Sequence, residues 1–203
     1  AGFEPAGGGF AEYVRLMDWI VEEGTVPIPD DVSFEEASFL EPLNTCLKAL
    51  ETAELEQGEV VVIYGQGPVG LLMMQAVVCE GARAVGLDLI EGRLAVSREL
   101  GAEIALNPEQ EDVTSAVAGI TEGRGADLAI VAAASPEAIK AAQGIVRRGG
   151  RVLLFAQTVP GEMVPVTLVV EAGGKRENVE VKALVRPLEG GAPAAGGHGG
   201  MKH

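Results

Sequence analysis

The chain has 203 residues, enough to bury a substantial core, and its length falls between one large domain and a domain with an appendage. Its 30 acidic and 15 basic residues give a net charge of −15, which argues against nucleic acid or an anionic membrane as partner. The 2 cysteines form no CxxC pair, so a four-cysteine zinc site is excluded; no signal peptide and no bilayer-length apolar run is visible, and a cytoplasmic location is expected.

Residues 1–9 (AGFEPAGGG) are glycine-rich and read as a mobile entry or a fragment edge. Residues 10–16 (FAEYVRL) and 19–21 follow, with Pro27 and Pro29 as turns, so short strands or extended passages are predicted there. Ser33 and Glu36 make the SxxE pattern of a capping box, whose two side chains satisfy free amides at a helix start; a helix is predicted from about Phe34. Pro42 suits the first position of a second helix, along which Leu43, Cys46, Leu47 and Leu50 recur at helical spacing. Glu41 then stands at the mouth of that helix, where a carboxylate favours the positive end of the dipole. Cys46 and Cys79 both lie in apolar helical patterns and are expected to be buried thiols.

Residues 59–71 (EVVVIYGQGPVGL) carry the strongest signal. Val60, Val61, Val62, Ile63 and Tyr64 are a short β-branched run of the kind found in a parallel strand covered on both faces. Gly65, Gly67 and Gly70 follow as GxGxxG: the first permits a tight turn, the second lets backbone approach a pyrophosphate, and the third lets helix pack on strand. Pro68 and Val69 open the helix, whose free amides and positive dipole end suit an anion without any basic side chain. Gly81 is placed to end it, and residues 83–89 (RAVGLDL) read as a second strand carrying Asp88. A carboxylate there can accept hydrogen bonds from the adenosine ribose and would repel a 2′-phosphate, so dinucleotide binding is predicted with NAD favoured over NADP. Arg93 complicates that choice, since an arginine nearby can accept a 2′-phosphate, although a solvated helix arginine is the simpler reading.

The α/β alternation continues with a helix over 91–100, a strand over 103–106, a helix over 112–120 and a strand over 127–132. Ser135 caps a further helix with Pro136 in its first turn, running to about Arg148; 151–155 (RVLLF) is the next strand and 179–185 (VEVKALV) a strand at the sheet edge. Six strands predict an α/β Rossmann dinucleotide-binding fold, a parallel doubly wound sheet in the order 3-2-1-4-5-6. Its crevice lies at the carboxyl ends of the strands, so the loops bearing Ala132 and Ala133 and bearing Phe155 and Ala156 join the candidate cofactor-binding residues; the glycine turn and Asp88 are expected near adenine and these two loops near nicotinamide. Residues 188–203 are rich in Gly, Ala and Pro and predict disorder; His198 and His203 there are too few for a metal site.

The order GGFAEYV, a Trp-containing segment, PIPDDVSFEEASFLEPL, VVVIYGQGPVGLL and DLIEGRLAVSRELGA resembles zinc-type medium-chain dehydrogenases, and among them the sorbitol (polyol) and threonine dehydrogenase branch. The likeness runs from about Gly8 through Val185. It implies NAD-dependent hydride transfer to or from the carbinol carbon of an alcohol or polyol, with a zinc ion polarising the oxygen. It also implies that Glu41, in an EPL motif, is a metal ligand or lies beside one. The family's other zinc residues belong to an N-terminal barrel-like domain, only the end of which has a counterpart here. Residues 1–40 are accordingly expected to be a remnant of a β-rich catalytic domain, 41–186 the Rossmann NAD-binding domain and 187–203 a flexible tail, truncated at both ends. Such a chain is expected neither to hold zinc nor to turn over alone. The resemblance further implies a homodimer, or a tetramer built from dimers, through the edge strand 179–185. A non-catalytic NAD-binding or dimerisation module lacking the zinc site is the alternative.

Overall fold

The computed structural model describes residues 12–133 and 135–155 together with the backbone of strands 163–172 and 175–184. It divides into two compact units, Ala1–Glu41 and Pro42–His203. In the first, helix α1 (Asp18–Gly24) and the single turn α2 (Phe34–Ala37) bury no residue. The capping box at α2 is formed as predicted, with Ser33 Oγ accepting from Glu36 N at 3.1 Å and Glu36 Oε2 accepting from Ser33 N at 2.8 Å. Residues 12–17 have no regular structure, in keeping with an extended passage. Residues 19–21, predicted extended, are helical instead. The segment DWIVEEG has no period-two alternation, carries Asp18 in its first turn and is opened by Ile20 and Val21 N–H groups donating to Met17 O at 2.9 and 3.2 Å.

The second unit is an α/β sandwich. Helix α3 (Leu40–Thr52) leads into it, starting two residues earlier than predicted; Pro42 still falls in the first turn, where a missing N–H costs no intrahelical bond. Then follow β1 (Val60–Tyr64), α4 (Pro68–Cys79), β2 (Arg83–Leu87), α5 (Glu91–Glu99), β3 (Ile104–Leu106), α6 (Val113–Ile120), β4 (Ala126–Val131), α7 (Pro136–Ile145) and β5 (Val146–Leu154). The five strands form one parallel sheet in the order β3-β2-β1-β4-β5, with Val62 opposite both Val85 and Ala129. This is the Rossmann arrangement that the alternation predicts.

β1 is central and wholly buried, and its alternate side chains feed two cores. Val61 and Ile63 pack with Met73, Met74 and Val77 of α4 and with Cys46, Ala49 and Leu50 of α3. Val60, Val62 and Tyr64 face Val117 of α6 and Ala142 and Ile145 of α7. Full burial of such side chains stabilises by roughly 1.5–3 kcal/mol each. Cys79, expected to be buried, is exposed at the last residue of α4, whereas Cys46 is buried.

Two departures concern the C-terminal half. α7 ends at Ile145 rather than near Arg148, and β5 begins at once with a bulge: Ala126 lies opposite Val146, but Leu128 lies opposite Arg151. Arg147 within the bulge donates from Nε to Asp127 Oδ1 at 2.6 Å, an ion pair that draws the chain out of the helix. The predicted sixth strand falls within β7 (Lys175–Leu184), yet it does not extend the sheet. It pairs antiparallel with β6 (Met163–Ala172) in a separate two-stranded sheet. The reason is connectivity: Ala172 opposes Lys175, which leaves a Gly-Gly link that suits a hairpin, while a parallel neighbour of β5 would need a long crossover. Residue 185, the tail 187–203 with both histidines, and residues 1–11 lie outside the described residues. Among the described residues no helix is long and apolar enough to cross a membrane.

Candidate functional site

The turn between β1 and α4 places its three glycines under different constraints. Gly65 has φ 95°, and its N–H donates to Leu87 O at 2.7 Å; a Cβ there would stand 3.0 Å from Ala133 Cβ and 3.3 Å from Ala132 C. At Gly70 a Cβ would stand 1.9 Å from Gly65 O, so the helix can lie this close to the turn only without a side chain. Gly67 differs. Its φ of −70° suits any residue, and a Cβ there would meet nothing within 4 Å. No side chain caps α4, and its first turn contains no acid. The first intrahelical bond runs from Leu71 N–H to Gly67 O at 2.9 Å, so the Val69 and Gly70 amides precede it and have no intrahelical acceptor, at the positive end of the dipole. Pro68, at N1, has no N–H to offer.

Asp88 lies just past β2 and is 8 % exposed. Its Oδ2 accepts from Gln66 N at 2.7 Å and its Oδ1 from Ile90 N at 2.9 Å, while Arg93 Nη1 stands 3.4 Å from Oδ2. The carboxylate therefore ties the glycine turn to the start of α5 and holds the predicted arginine against itself. About four lone-pair sites on a carboxylate leave one uncommitted after these contacts. Ala132 N donates to Tyr64 O at 2.9 Å and Phe155 N to Val131 O at 2.9 Å, so both loops do emerge at the carboxyl ends of the strands. Ala132 and Ala133 flank Gly65, and Phe155 packs on the core cluster beneath α4; Ala156 lies outside the described residues.

Sequence reasoning missed Gln66, which is fully buried and whose Nε2 donates to Ile63 O and Gly65 O, each at 3.1 Å. The signal was available: an amide side chain in a glycine turn has backbone carbonyls within reach. It also missed Leu89 and Ile90, exposed by 56 % and 51 % beside Asp88, whose only sequence cue is two apolar residues after an acidic strand end.

Glu41 sits in the first turn of α3, is exposed and belongs to the first unit. Among the described residues no group of three or more His, Cys, Asp or Glu could hold a metal ion, so the donor set for a zinc site is not met by them. A cavity of about 410 Å³ lies between α6 and α7, with Tyr64, Pro108, Asp112 and Ala141 in its wall. Burial pushes the Tyr64 phenol up to about 12, which keeps it neutral. The glycines and Asp88 are not part of that wall.

A family model described as zinc-binding dehydrogenase matches residues 68–176. The sorbitol dehydrogenase of Bacillus subtilis is 32 % identical over 151 residues, which are 74 % of this chain and 42 % of that protein. Among solved structures, an alcohol dehydrogenase from Thermus sp. ATN1 superposes with a TM-score of 0.61 at 33 % identity, covering 64 % of this chain and 39 % of its own. A protein of Sinorhizobium meliloti 1021, described as a zinc-binding dehydrogenase and solved bound to NADP, gives 0.62 at 28 % identity, covering 68 % and 42 %. The chain thus spans about two-fifths of the length of these relatives.

Proposed function

Since the chain belongs to the zinc-binding dehydrogenase family, we propose that it is the dinucleotide-binding portion of an oxidoreductase that uses NAD. One observation carries the cofactor reading: the fold itself demands glycine at positions 65 and 70, but nothing among the described residues demands it at 67. The open space at Gly67, before the amides of Val69 and Gly70, fits a pyrophosphate. Asp88 would face the adenosine ribose with its uncommitted lone pair, Leu89 and Ile90 would offer apolar surface to the adenine, and Ala132, Ala133, Phe155 and Ala156 would follow the cofactor across the sheet. NAD is preferred to NADP because Arg93 is already engaged by Asp88 at 3.4 Å. When bound, the nicotinamide supplies a hydride acceptor.

We further propose that the parent reaction is oxidation of an alcohol or polyol, as the relatives' names suggest for those proteins. Zinc is not met by the described donors, Glu41 alone being a candidate, and no step is derived through it. This chain alone should therefore bind cofactor without turnover. Titration with NADH, followed by nucleotide fluorescence, tests the core of the reading: micromolar to submillimolar saturation is expected, and no binding at millimolar cofactor would sink it. A second reading, a dimerisation module, is favoured by one observation: among the described residues β7 is paired on one side only. Edge-to-edge pairing of two β7 strands would give an isologous dimer. Sedimentation distinguishes a dimer from a monomer, and the two readings are compatible.

A further inference from the structure

The two buried polar atoms that have no hydrogen-bond partner among the described residues are Gln66 Oε1 and Ser97 Oγ. They face the same point. A Cβ added at Gly86 of β2 would lie 2.4 Å from Ser97 Oγ and 3.1 Å from Gln66 Oε1, so the strand is bare at the place where the turn's amide and the α5 hydroxyl converge. Both residues are fully buried. The orientation of the amide follows from its surroundings: Nε2 reaches the carbonyl oxygens of Ile63 and Gly65, and a flipped amide would set an oxygen against both. What remains free on Gln66 is an acceptor, and Ser97 carries a rotatable donor. An unmade pair of this kind in a dry interior is costly, so two complementary orphans at one point are an arrangement that closes on itself.

We propose that Gln66 and Ser97 are a positioning pair for the cofactor's pyrophosphate, a role that rests on the dinucleotide reading above. The two atoms are not bonded as they stand, and a small turn of the Ser97 side chain would let its hydroxyl donate to Gln66 Oε1 and fix the plane of the amide. The amide's Nε2 then keeps the Gly65 carbonyl turned into the protein. That matters because the same carbonyl oxygen lies against Gly70, at the mouth of α4. A carbonyl swung outward would present negative charge to a phosphate, whereas a carbonyl held inward leaves the turn's N–H groups as its outward face. Gly86 is the third member, since any side chain there would separate the other two.

The test uses the full chain and two ligands, NADH and adenosine, the second lacking the pyrophosphate and followed by NMR. Ser97→Ala and the near-isosteric Gln66→Met should each weaken NADH by roughly three- to tenfold, the effect of one lost hydrogen bond, with adenosine affinity unchanged. The double variant should be no weaker than Gln66→Met alone, because the serine acts through the glutamine. Variants that bind NADH as tightly as the parent chain overturn the proposal, as do equal losses for NADH and adenosine, or fully additive effects. If Gln66→Met fails to fold by circular dichroism, Ser97→Ala alone decides by its NADH-to-adenosine split. A parent chain that ignores NADH overturns the dinucleotide reading and this pair with it; a parent chain that binds, with indifferent variants, overturns only the pair.

Discussion

At Gly70 an added methyl group would stand 1.9 Å from the Gly65 carbonyl oxygen, whereas at Gly67 it would meet no atom of the described residues within 4 Å. Gly70→Ala should therefore destabilise the fold by roughly 1–3 kcal/mol or more through overpacking, visible as a lower urea midpoint. Gly67→Ala should cost less, about 1 kcal/mol or below, because alanine is a poorer N-cap than glycine but meets no strain there. It should nevertheless weaken NADH by at least about tenfold, because the methyl enters the space left for the pyrophosphate. Equal stability losses for the two variants would remove the distinction on which the cofactor reading stands. Asp88 calls for a gentler probe than removal, since both its oxygens hold backbone amides. Asp88→Asn keeps one acceptor and discharges the group; the ratio of NADPH to NADH affinity should rise by about three- to tenfold, for loss of one like-charge repulsion. An unchanged ratio would take Asp88 out of cofactor selection.

At the amino ends of the strands, β1, β4 and β5 are fastened by a second carboxylate. Asp127 Oδ2 accepts from Val60 N at 2.9 Å, and Oδ1 meets Arg147 Nε at 2.6 Å and Arg124 Nη1 at 3.5 Å. Burial raises its pKa, but the Val60 amide and the Arg147 guanidinium outweigh it and hold the carboxyl below the ordinary carboxylate range. A depressed pKa stabilises the fold fully above the unfolded value of about 4 and progressively less as the pH falls through the folded one. Asp127→Asn should cost on the order of 1–3 kcal/mol at neutral pH and flatten the acid limb of the stability profile. A variant whose acid limb matches the parent's would contradict this. Such ties show what a sequence conceals. Strand runs, glycine stops and the Ser33 and Ser135 caps are local patterns, and they were legible. The bulge at Arg147 depends on a partner 20 residues away, and the clamp on Gln66 N on one 22 residues away, so neither leaves a periodic trace. Helix α1 is hard to read from sequence because it is 7 residues long, buries no residue and is followed by the turn-forming Pro27 and Pro29. The hairpin leaves no such local trace, because the pairing of 163–172 with 175–184 closes a separate sheet instead of extending the first.

Across the second unit, the five-stranded sheet and the β6–β7 hairpin are separate in their hydrogen bonding. A chain ending before residue 160 should keep cooperative unfolding and NADH affinity within about twofold, while any dimer built on β7 should fall to monomers in sedimentation. Loss of cooperative unfolding would mean that the hairpin supports the sheet. The Rossmann class was readable from alternation alone, but membership of that sheet was not, since it turns on which edge each late strand meets. The two edges are unequal: β3 has 3 residues and β5 has 9, and β5 is unpaired on its outer side among the described residues. Backbone donors and acceptors left open along a long strand form a template, so lateral growth of this molecule is directional. Strand-adding peptides, or a misassembled second chain, should be captured beside β5, and a proline introduced at an outward-facing amide of that strand should suppress both while the β3 side needs no such guard.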